Sequence, residues 1–218
     1  MSGRELKERL RTARGRPLAS QRWLTRQIND PYVHEAKKQG YRSRAAFKLI
    51  QLDQRFHLLK PGMRVLDLGA APGGWTQVAA DRVGPSGAVV AVDILAMAPL
   101  PRVAVLELDF LAADAEQKVL AALGGPVDLV LSDMAPPATG HKHTDHLRIM
   151  ALCEAAADFA TRVLAPGGAF VCKVWQGGTE SSLLGDLKRR FAQVRHAKPE
   201  ASRKESAETY LVATGFKG

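Results

Sequence analysis

Short apolar runs alternate with longer amphipathic stretches over most of the chain, and this alternation predicts the fold. Five runs have the length and composition of buried strands: Val65–Leu68, Ala88–Val92, Val103–Leu108, Val127–Leu131 and Ala169–Val174. The stretches between them have helical spacing over residues 74–82, 114–123, 145–164 and 179–190. Strands that are apolar on both faces and alternate with helices indicate a mostly parallel sheet with helices on both faces.

The C-terminal part of the chain departs from this pattern. Phe191–Ala197 and Thr209–Thr214 are predicted strands with no helical stretch between them. Consecutive strands joined by a loop usually pair antiparallel, so the sheet should finish with one reversed strand. The predicted fold class is therefore α/β, Rossmann-like, with a mostly parallel sheet and a final antiparallel strand.

The chain divides into an arm and one domain. Residues 1–19 are basic, contain proline and glycine, and show no apolar period, which is typical of a mobile arm. We predict a single domain over residues 20–218. It consists of a helical part over 20–60 and an α/β core over 61–218.

Cap and turn signals place the helices of the first part. Ser20 and Ser43 are candidate N-caps of two helices, and Asn29-Asp30-Pro31 interrupts the helical pattern between them. Lys60-Pro61-Gly62 is a turn that precedes the first strand.

Charged residues are unevenly distributed along the chain, which suggests how the protein meets its partner. The 218 residues include 31 Lys+Arg and 22 Asp+Glu, a formal net charge of +9. Residues 1–48 carry net +9, residues 49–187 net −5 and residues 188–218 net +5. Two basic ends around an acidic middle indicate a polyanion held by the ends and separate chemistry in the middle. A solvated basic tail explains the charge alone equally well.

Composition excludes several classes of protein. Apolar residues make up 46% of the chain, which is typical of a globular protein and not of a disordered one. No apolar run has the length of a membrane span, and the first 20 residues lack the apolar core of a secretory signal. Two cysteines, Cys153 and Cys172, are too few for a disulfide framework, which suits a reducing compartment. We expect a cytoplasmic protein without a membrane partner.

A glycine-rich turn after the first strand is the first candidate ligand site. The sequence from Val65 reads VLDLGAAPGGW, and Gly69 and Gly73 would let the backbone approach a ligand at the start of a helix. The spacing G-x-x-x-G-G matches neither the dinucleotide fingerprint nor the phosphate loop. No lysine follows the glycines, which argues against hydrolysis of a nucleoside triphosphate.

Carboxylates follow the next two strands. Asp93 is placed to accept hydrogen bonds from a ribose diol, and Asp109 could receive the exocyclic amine of adenine. Each could instead cap the following helix, and a glycine turn can join a strand to a helix without binding anything. The ordered set Gly69, Asp93, Asp109 at successive strand ends favours a cofactor that contains adenosine.

Two further carboxylates favour a cationic cofactor. Asp67 precedes the glycine turn, and Asp133 follows the fourth strand. Negative charge at this point would repel a pyrophosphate and attract a cation. S-adenosylmethionine carries a sulfonium and an amino group but no phosphate, so it fits better than a nicotinamide dinucleotide.

Lys173, inside the apolar run of the fifth strand, is the most informative single residue. A buried ammonium is costly without a partner, and a central strand has no nearby edge to which the side chain could snorkel. Burial and a neighbouring cation would favour the neutral amine of a general base, whereas Asp133 and Glu208 would favour the charged form. The residue types leave this balance open.

The chain resembles a known family, the FtsJ/RrmJ (RlmE) heat-shock type of ribosomal RNA ribose 2′-O-methyltransferases. The resemblance runs from Arg22-Trp23-Leu24 through Tyr41–Leu49 to Val212-Ala213-Thr214-Gly215. Its most specific motifs are DLGAAPGGW at Asp67–Trp75 and SDMAP at Ser132–Pro136. Two departures are slight: the basic arm before Arg22 is longer than in compact members, and Ala46 replaces a bulkier aromatic residue.

The resemblance implies a set of site residues. The family's Lys-Asp-Lys-Glu tetrad falls on Lys48, Asp133, Lys173 and Glu208. By the same carry-over, the residues that bind S-adenosylmethionine would be Gly73, Trp75, Asp93, Asp109 and Asp133. The resemblance also implies that the acceptor is a uridine of large-subunit (23S) ribosomal RNA in the assembled large ribosomal particle.

The chemistry of ribose methylation agrees with the roles that the resemblance implies for these four residues. Methyl transfer from a sulfonium depends mainly on alignment, and a ribose hydroxyl needs a base or charge stabilisation as its proton leaves. Our hypothesis is that Lys173 is the principal base and Asp133 orients it, while Lys48 and Glu208 position the ribose. Methylation of a base amino group is the competing chemistry. Its sites commonly have an aromatic residue after the fourth strand, where this chain has Asp-Met-Ala-Pro.

Both basic ends contain a member of the tetrad, so they should flank one RNA track. The candidate RNA-binding residues are Arg42, Arg44, Lys188, Arg189 and Arg203. A contact based on shape and phosphates is expected, because few aromatic residues outside the core are available for stacking. Trp23 and Tyr32 could stack on bases but have the character of packing residues.

Alternatives remain at this stage. His141, His143 and His146 have a spacing that could suit metal ligands, but without a cysteine or acidic cluster we expect a flexible lid over the cofactor and no metal.

The function also has alternatives. The acceptor could be a transfer RNA or a messenger cap, or the chain could be an assembly factor that binds RNA without catalysis. Nothing in the sequence suggests a protein partner or a dimer interface, so a monomer is expected.

Overall fold

The structure, a computed structural model, describes residues 15, 17–136, 139–175 and 180–218. Most of the arm predicted over residues 1–19 lies outside these ranges. The helices are α1 Leu18–Ile28, α2 Pro31–Gln39, α3 Ala46–Phe56, α4 Gly74–Val83, α5 Ala115–Leu123, α6 Lys142–Val163 and α7 Glu180–Arg190. The strands are β1 Arg64–Leu68, β2 Ala88–Asp93, β3 Val103–Glu107, β4 Val127–Ser132, β5 Leu164–Trp175, β6 Phe191–Ala197 and β7 Glu208–Phe216.

The strands of the described ranges form one sheet in the order β3-β2-β1-β4-β5-β7-β6. Strands β1 to β5 pair parallel, while β7 runs antiparallel to both β5 and β6. The predicted α/β fold with a mostly parallel sheet and one reversed strand is confirmed. The reversed strand is β7, the last strand of the chain, and it lies between β5 and β6 in the sheet.

Each face of the sheet carries its own apolar core, because side chains alternate between the two faces along each strand. Leu66, Val130 and Cys172 pack with α5, α6 and α7 on one face. Val65 and Val171 belong to the core that contains α3 and α4 on the other face. This alternation directs Asp67 and Lys173 to the face of α3 and α4.

The helix N-caps predicted at Ser20 and Ser43 are wrong. Helix α1 begins after Pro17 and helix α3 after Ala45, and neither preceding residue makes a side-chain capping bond. Ser43 does not cap α3, because its hydroxyl packs against Gly74 at the start of α4. The break predicted at Asn29-Asp30-Pro31 is confirmed, since the Asp30 carboxylate caps α2 by accepting from the main-chain N–H of Tyr32.

The helix that follows β4 also begins earlier than predicted. His141 and the residues after it were expected to be a flexible lid, but α6 starts at Lys142. The carboxylate of Asp145 fixes this start by accepting from the main-chain N–H groups of Thr139 and Gly140 and from the Thr139 hydroxyl. None of the helices in the described ranges is long and apolar enough to cross a membrane.

Candidate active site

Four charged side chains meet at the carboxyl end of the central strands. Lys48 comes from the first turn of α3, Asp133 follows β4, Lys173 lies in β5 and Glu208 begins β7. The antiparallel register pairs Lys173 with Tyr210 and Trp175 with Glu208, which places Glu208 near the end of β5. The contact of Lys48 with Glu208 adds α3 to the same cluster. The structure therefore brings together all four residues of the tetrad expected from sequence.

Asp133 is the centre of this cluster. Its Oδ1 lies 3.1 Å from Lys173 Nζ and accepts a 2.7 Å hydrogen bond from the Tyr210 hydroxyl. Its Oδ2 lies 3.7 Å from Lys48 Nζ. Burial alone would raise the pKa of Asp133, but the two ammonium groups and the Tyr210 hydroxyl hold that pKa below its ordinary value. Asp133 is therefore a stable anion between two cations.

Glu208 forms the second half of the cluster. Its carboxylate oxygens lie 2.8 and 2.9 Å from Lys48 Nζ, and Oε1 also accepts a 2.7 Å hydrogen bond from the Ser202 hydroxyl. Lys48 thus bridges the carboxylates of Glu208 and Asp133. Two lysines and two carboxylates balance each other, as a buried ionic cluster requires.

Lys173 is buried, with 7% of its surface exposed, and the snorkelling alternative is wrong for it. Its Nζ also donates a 2.5 Å hydrogen bond to the main-chain oxygen of Asp133. One residue therefore holds this amine through both its carboxylate and its carbonyl group.

Sequence reasoning missed two members of the site. The hydroxyls of Tyr210 and Ser202 are almost fully buried and donate to Asp133 and Glu208 respectively. Burial and the nearby carboxylates raise the pKa of Tyr210 well above its ordinary value, so its hydroxyl remains a donor. Tyr210 could have been found, because it lies two residues after Glu208 on the same face of a strand. Ser202 lies in a loop and gives no such signal.

The glycine turn lies beside this cluster. Gly69 and Gly73 both have positive φ angles, of 71° and 107°, which favour glycine. A side chain at Gly69 would collide with Met134, and one at Gly73 would reach Arg42 and Met97. A small pocket between the turn and the cluster is lined by residues that include Ser43, Asp67, Gly69, Gly74 and Asp133.

Asp67 is the buried carboxyl of this pocket, with 1% of its surface exposed. Burial raises its pKa to about 7, and the negative charges of Asp133 and Asp93 add to the rise. The hydroxyl of Thr76 donates to Asp67 Oδ2 over 2.6 Å and opposes the change. A carboxyl that is half ionised near neutral pH in an acidic pocket is suited to a cation.

The two strand-end carboxylates accept hydrogen bonds from main-chain N–H groups, but neither caps a helix, because the described residues between Asp93 and β3 form no helix and α5 begins after Asp114. Asp93 accepts from the main-chain N–H groups of Ala71 and Leu95 over 2.9 and 2.8 Å. Asp109 accepts from the N–H of Leu111 over 2.9 Å. A carboxylate has about four acceptor positions, so both retain capacity for a ligand.

Exposed apolar side chains accompany these carboxylates, and sequence reasoning missed them too. Ile94, Leu95 and Leu111 are 69%, 64% and 62% exposed. Each follows Asp93 or Asp109 within two residues. An apolar surface beside hydrogen-bond acceptors is the composition of a site for a flat heterocycle.

Trp75 is mainly a packing residue. Its side chain is 3% exposed, and its indole N–H donates to the carbonyl of Ala45 over 2.8 Å. It thus joins α4 to the start of α3. Any ligand contact from Trp75 would come from its main chain at the start of α4, where N–H groups lack helical partners.

All four predicted RNA-binding arginines already have partners within the protein, and the partner of Arg189 is Asp186. Arg44 forms a 2.7 Å ion pair with Asp30, and Arg203 lies 3.5 Å from the same carboxylate. The guanidinium of Arg42 donates to main-chain carbonyls beside the glycine turn. Lys188 and Arg189 lie on the exposed last turn of α7.

The histidines of the sequence motif do not form a cluster of metal ligands. Among the described residues, no group of three or more His, Cys, Asp or Glu side chains is arranged to hold a metal ion. His143 and His146 lie on α6, and His141 precedes it.

Comparison with known proteins defines the class to which this fold and site belong. The family model described as FtsJ-like methyltransferase matches residues 41–216, and the chain belongs to this family. Residues 41–216 include all four charged residues of the cluster and the glycine turn.

Particular relatives are similar over nearly the whole chain. The ribosomal RNA large subunit methyltransferase E of Paramagnetospirillum magneticum is 63% identical over 220 residues, which cover 99% of this chain and 90% of the relative. The enzyme of the same name from Xanthobacter autotrophicus is 60% identical, covering 99% and 86%. A crystal structure of a ribosomal RNA methyltransferase from Plasmodium falciparum superposes with a TM-score of 0.71 at 32% identity, covering 82% of this chain and all of that one.

Proposed function

We propose that the protein transfers a methyl group from S-adenosylmethionine to the ribose 2′-hydroxyl of a uridine in large-subunit (23S) ribosomal RNA. The observation that carries the proposal is the Lys48–Glu208 and Lys173–Asp133 cluster, which lies next to the pocket of the glycine turn. The two bacterial relatives named above are ribosomal RNA large subunit methyltransferases by name, which supports this choice of RNA. We further propose that the substrate is the assembled large particle.

The residues of the pocket fit S-adenosylmethionine. The carboxyl groups of Asp67 and Asp133 place negative charge where a sulfonium and an ammonium would lie. Gly69 and Gly73 would let the main chain approach, and Asp93 and Asp109 have acceptor positions for the ribose and adenine. When bound, the cofactor would supply an activated methyl group on a positively charged sulfur.

Lys173 is the proposed base. Its Nζ would accept the proton of the ribose 2′-hydroxyl after the ammonium seen beside Asp133 has given up its own proton to solvent. Asp133 holds this nitrogen from two sides and would stabilise the ammonium that results. Burial of Lys173 strengthens its interaction with the Asp133 carboxylate.

Lys48, Glu208 and Ser202 would position the ribose. The Glu208 carboxylate, fixed by Lys48 and Ser202, offers acceptor positions at the edge of the cluster. Lys48 Nζ offers positive charge beside the oxygen that loses its proton. None of these groups needs a metal ion for its role.

RNA would approach across a cationic cavity on the Lys48 side of the cluster. This cavity, of about 230 Å³, is lined by Arg44, Lys48, Arg203 and Glu208 among others. Asp30 holds the two arginines in place. We propose that Arg203 contacts a phosphate near the target nucleotide, and that Lys188 and Arg189 extend the contact along the RNA. Arg44 would add positive charge to the wall of the cavity without a direct phosphate contact, because its two terminal nitrogens donate to Asp30 and to the carbonyl of Ala201 and its Nε is buried.

The substrate can be tested with RNA that still lacks the modification. Large and small ribosomal particles, deproteinised large-subunit RNA and transfer RNA would be prepared from cells without this enzyme. Each would be incubated with the purified protein and S-adenosylmethionine labelled in its methyl group. We expect label in large particles alone.

The other outcomes separate the alternatives. Equal labelling of deproteinised large-subunit RNA would contradict the assembled particle as substrate. Label in transfer RNA would contradict the choice of RNA. Cofactor binding with no label in any RNA would support an assembly factor without catalysis.

A further inference from the structure

Arg42 connects three parts of the chain at the cofactor pocket. It lies in the loop between α2 and α3, and its guanidinium reaches two other segments. Nη1 donates to the carbonyls of Pro72 and Ala98 over 3.2 and 2.7 Å, and Nη2 donates to that of Pro99 over 2.8 Å. Pro72 belongs to the glycine turn, and Ala98 and Pro99 belong to the segment that follows β2.

The main chain of Arg42 is fixed as well. Its N–H donates to the side-chain oxygen of Gln77 over 2.7 Å, and the Gln77 amide donates to the carbonyl of Gly40 over 3.1 Å. Gln77 lies on α4, the helix that begins at the glycine turn. The backbone and the guanidinium of Arg42 are therefore held by elements that form the pocket.

Glycine at position 73 is part of the same arrangement. A Cβ atom at Gly73 would lie 3.0 Å from Arg42 Nη1 and 3.1 Å from Arg42 Cδ. The guanidinium therefore packs directly on the turn. The positive φ of Gly73 and this close approach both require the absence of a side chain.

Asp93 joins the same two segments from another direction. Its Oδ2 accepts from Ala71 in the turn, and its Oδ1 accepts from Leu95 after β2. The carboxylate of Asp93 and the guanidinium of Arg42 are thus two ties between the glycine turn and the segment after β2. A change in either tie would move main-chain groups that face the cofactor.

These contacts occupy most of the guanidinium donors. Both N–H groups of Nη1 and one of Nη2 donate to carbonyls, which leaves Nε–H and one Nη2–H for any other ligand. The three carbonyl contacts hold the guanidinium against the glycine turn, whether or not the remaining donors meet a phosphate.

We propose that Arg42 is a positioning residue of the cofactor site, which fixes the glycine turn to the segment after β2. The inference rests on the proposed function, because it assigns the pocket to S-adenosylmethionine. It differs from the RNA contact expected for Arg42 from sequence, and the two roles can be separated by experiment.

Arg42→Lys is the most informative variant. It retains the positive charge, so a contact with RNA phosphate would be largely preserved. A lysine has no planar fork and cannot reach the three carbonyls together. We expect the dissociation constant of S-adenosylhomocysteine, measured by calorimetry, to rise roughly tenfold or more, because the main chain of the pocket is displaced.

Two further variants complete the test. Gln77→Ala removes the support of the Arg42 main chain but leaves the guanidinium, and it should weaken cofactor binding to a smaller degree. Lys60→Gln removes one exposed charge before β1, at the opposite end of the strands, and is the control. All titrations would be done well below the midpoint of thermal unfolding, because a purely structural role would lower that midpoint without changing the affinity of the folded protein.

The outcomes distinguish a positioning role of Arg42 at the cofactor site from a contact with RNA phosphate. Unchanged cofactor affinity in both Arg42→Lys and Gln77→Ala would overturn the inference. Arg42→Gln with unchanged cofactor affinity and a salt slope of RNA binding lower by about one would show a phosphate contact instead. A wild-type protein that binds neither S-adenosylmethionine nor S-adenosylhomocysteine would overturn the proposed function and this inference with it.

Discussion

Replacing Asp67 by asparagine tests the electrostatics of the pocket without reference to catalysis. Asp67 is buried in β1 and hydrogen-bonded to Thr76, and its pKa is raised to about 7 from its ordinary value of 3.8. Between pH 3.8 and about pH 7, Asp67 therefore keeps its proton in the folded state but has lost it in the unfolded state. Stability should fall as pH rises from about 4 to about 7, since the unfolded state binds fewer protons there.

The size of the effect follows from the shift. One pKa unit corresponds to about 1.4 kcal/mol, so ionised Asp67 would cost about 4 kcal/mol of unfolding free energy above pH 7. Asparagine cannot ionise and keeps an oxygen for the Thr76 hydroxyl. Its amide hydrogens add a cost that does not depend on pH. The stability of Asp67→Asn relative to wild type should therefore rise by about 2.5 kcal/mol between pH 5 and pH 8.

Urea unfolding at these two pH values measures this quantity directly. Wild type and Asp67→Asn would be compared without cofactor, with Asp81→Asn on the exposed side of α4 as the matched control. A difference between Asp67→Asn and wild type that is the same at pH 5 and pH 8 would refute the argument. So would a decrease of that difference with pH.

Three other outcomes follow from the site. Lys173→Ala should abolish methyl transfer while calorimetry still detects cofactor binding; near-normal turnover would contradict its role as the base. Tyr210→Phe should lower the unfolding free energy by about 1 to 3 kcal/mol, because a buried bond to charged Asp133 is lost; an unchanged urea midpoint would contradict this. S-adenosylmethionine should bind more tightly as pH rises from 6 to 8, because its positive charge favours ionised Asp67. S-adenosylhomocysteine, which lacks the sulfonium charge, should show a smaller increase, and an equal pH dependence of the two ligands would contradict this role of Asp67.

The sequence alone was sufficient to predict a site residue where a charged side chain lies within an apolar strand. Lys173 stood out as a charge in an apolar run, and the structure gives this buried amine the carboxylate partner that such a position requires. The alternation of strands and helices likewise predicted the sheet, because each run had to be buried on both faces. Asp93 and Asp109 could be placed at strand ends by the same reasoning.

Sequence was insufficient where a contact joins distant segments through the main chain. The partners of Arg42 are carbonyl groups 30 to 57 residues away, and every residue type has such a carbonyl. Positive charge alone suggested a phosphate contact at that position. The capping role of Ser43 failed for a related reason, since packing against Gly74 took the place of a local hydrogen bond.

The identity of the methylated nucleoside tests the central claim most directly. Large ribosomal particles from cells without this enzyme would be methylated by the purified protein, digested to nucleosides and analysed by mass spectrometry, with Lys173→Ala in parallel. Our account predicts that wild type produces 2′-O-methyluridine and that the variant produces none. A methyl group on a base, or 2′-O-methyluridine formed equally by Lys173→Ala, would contradict it.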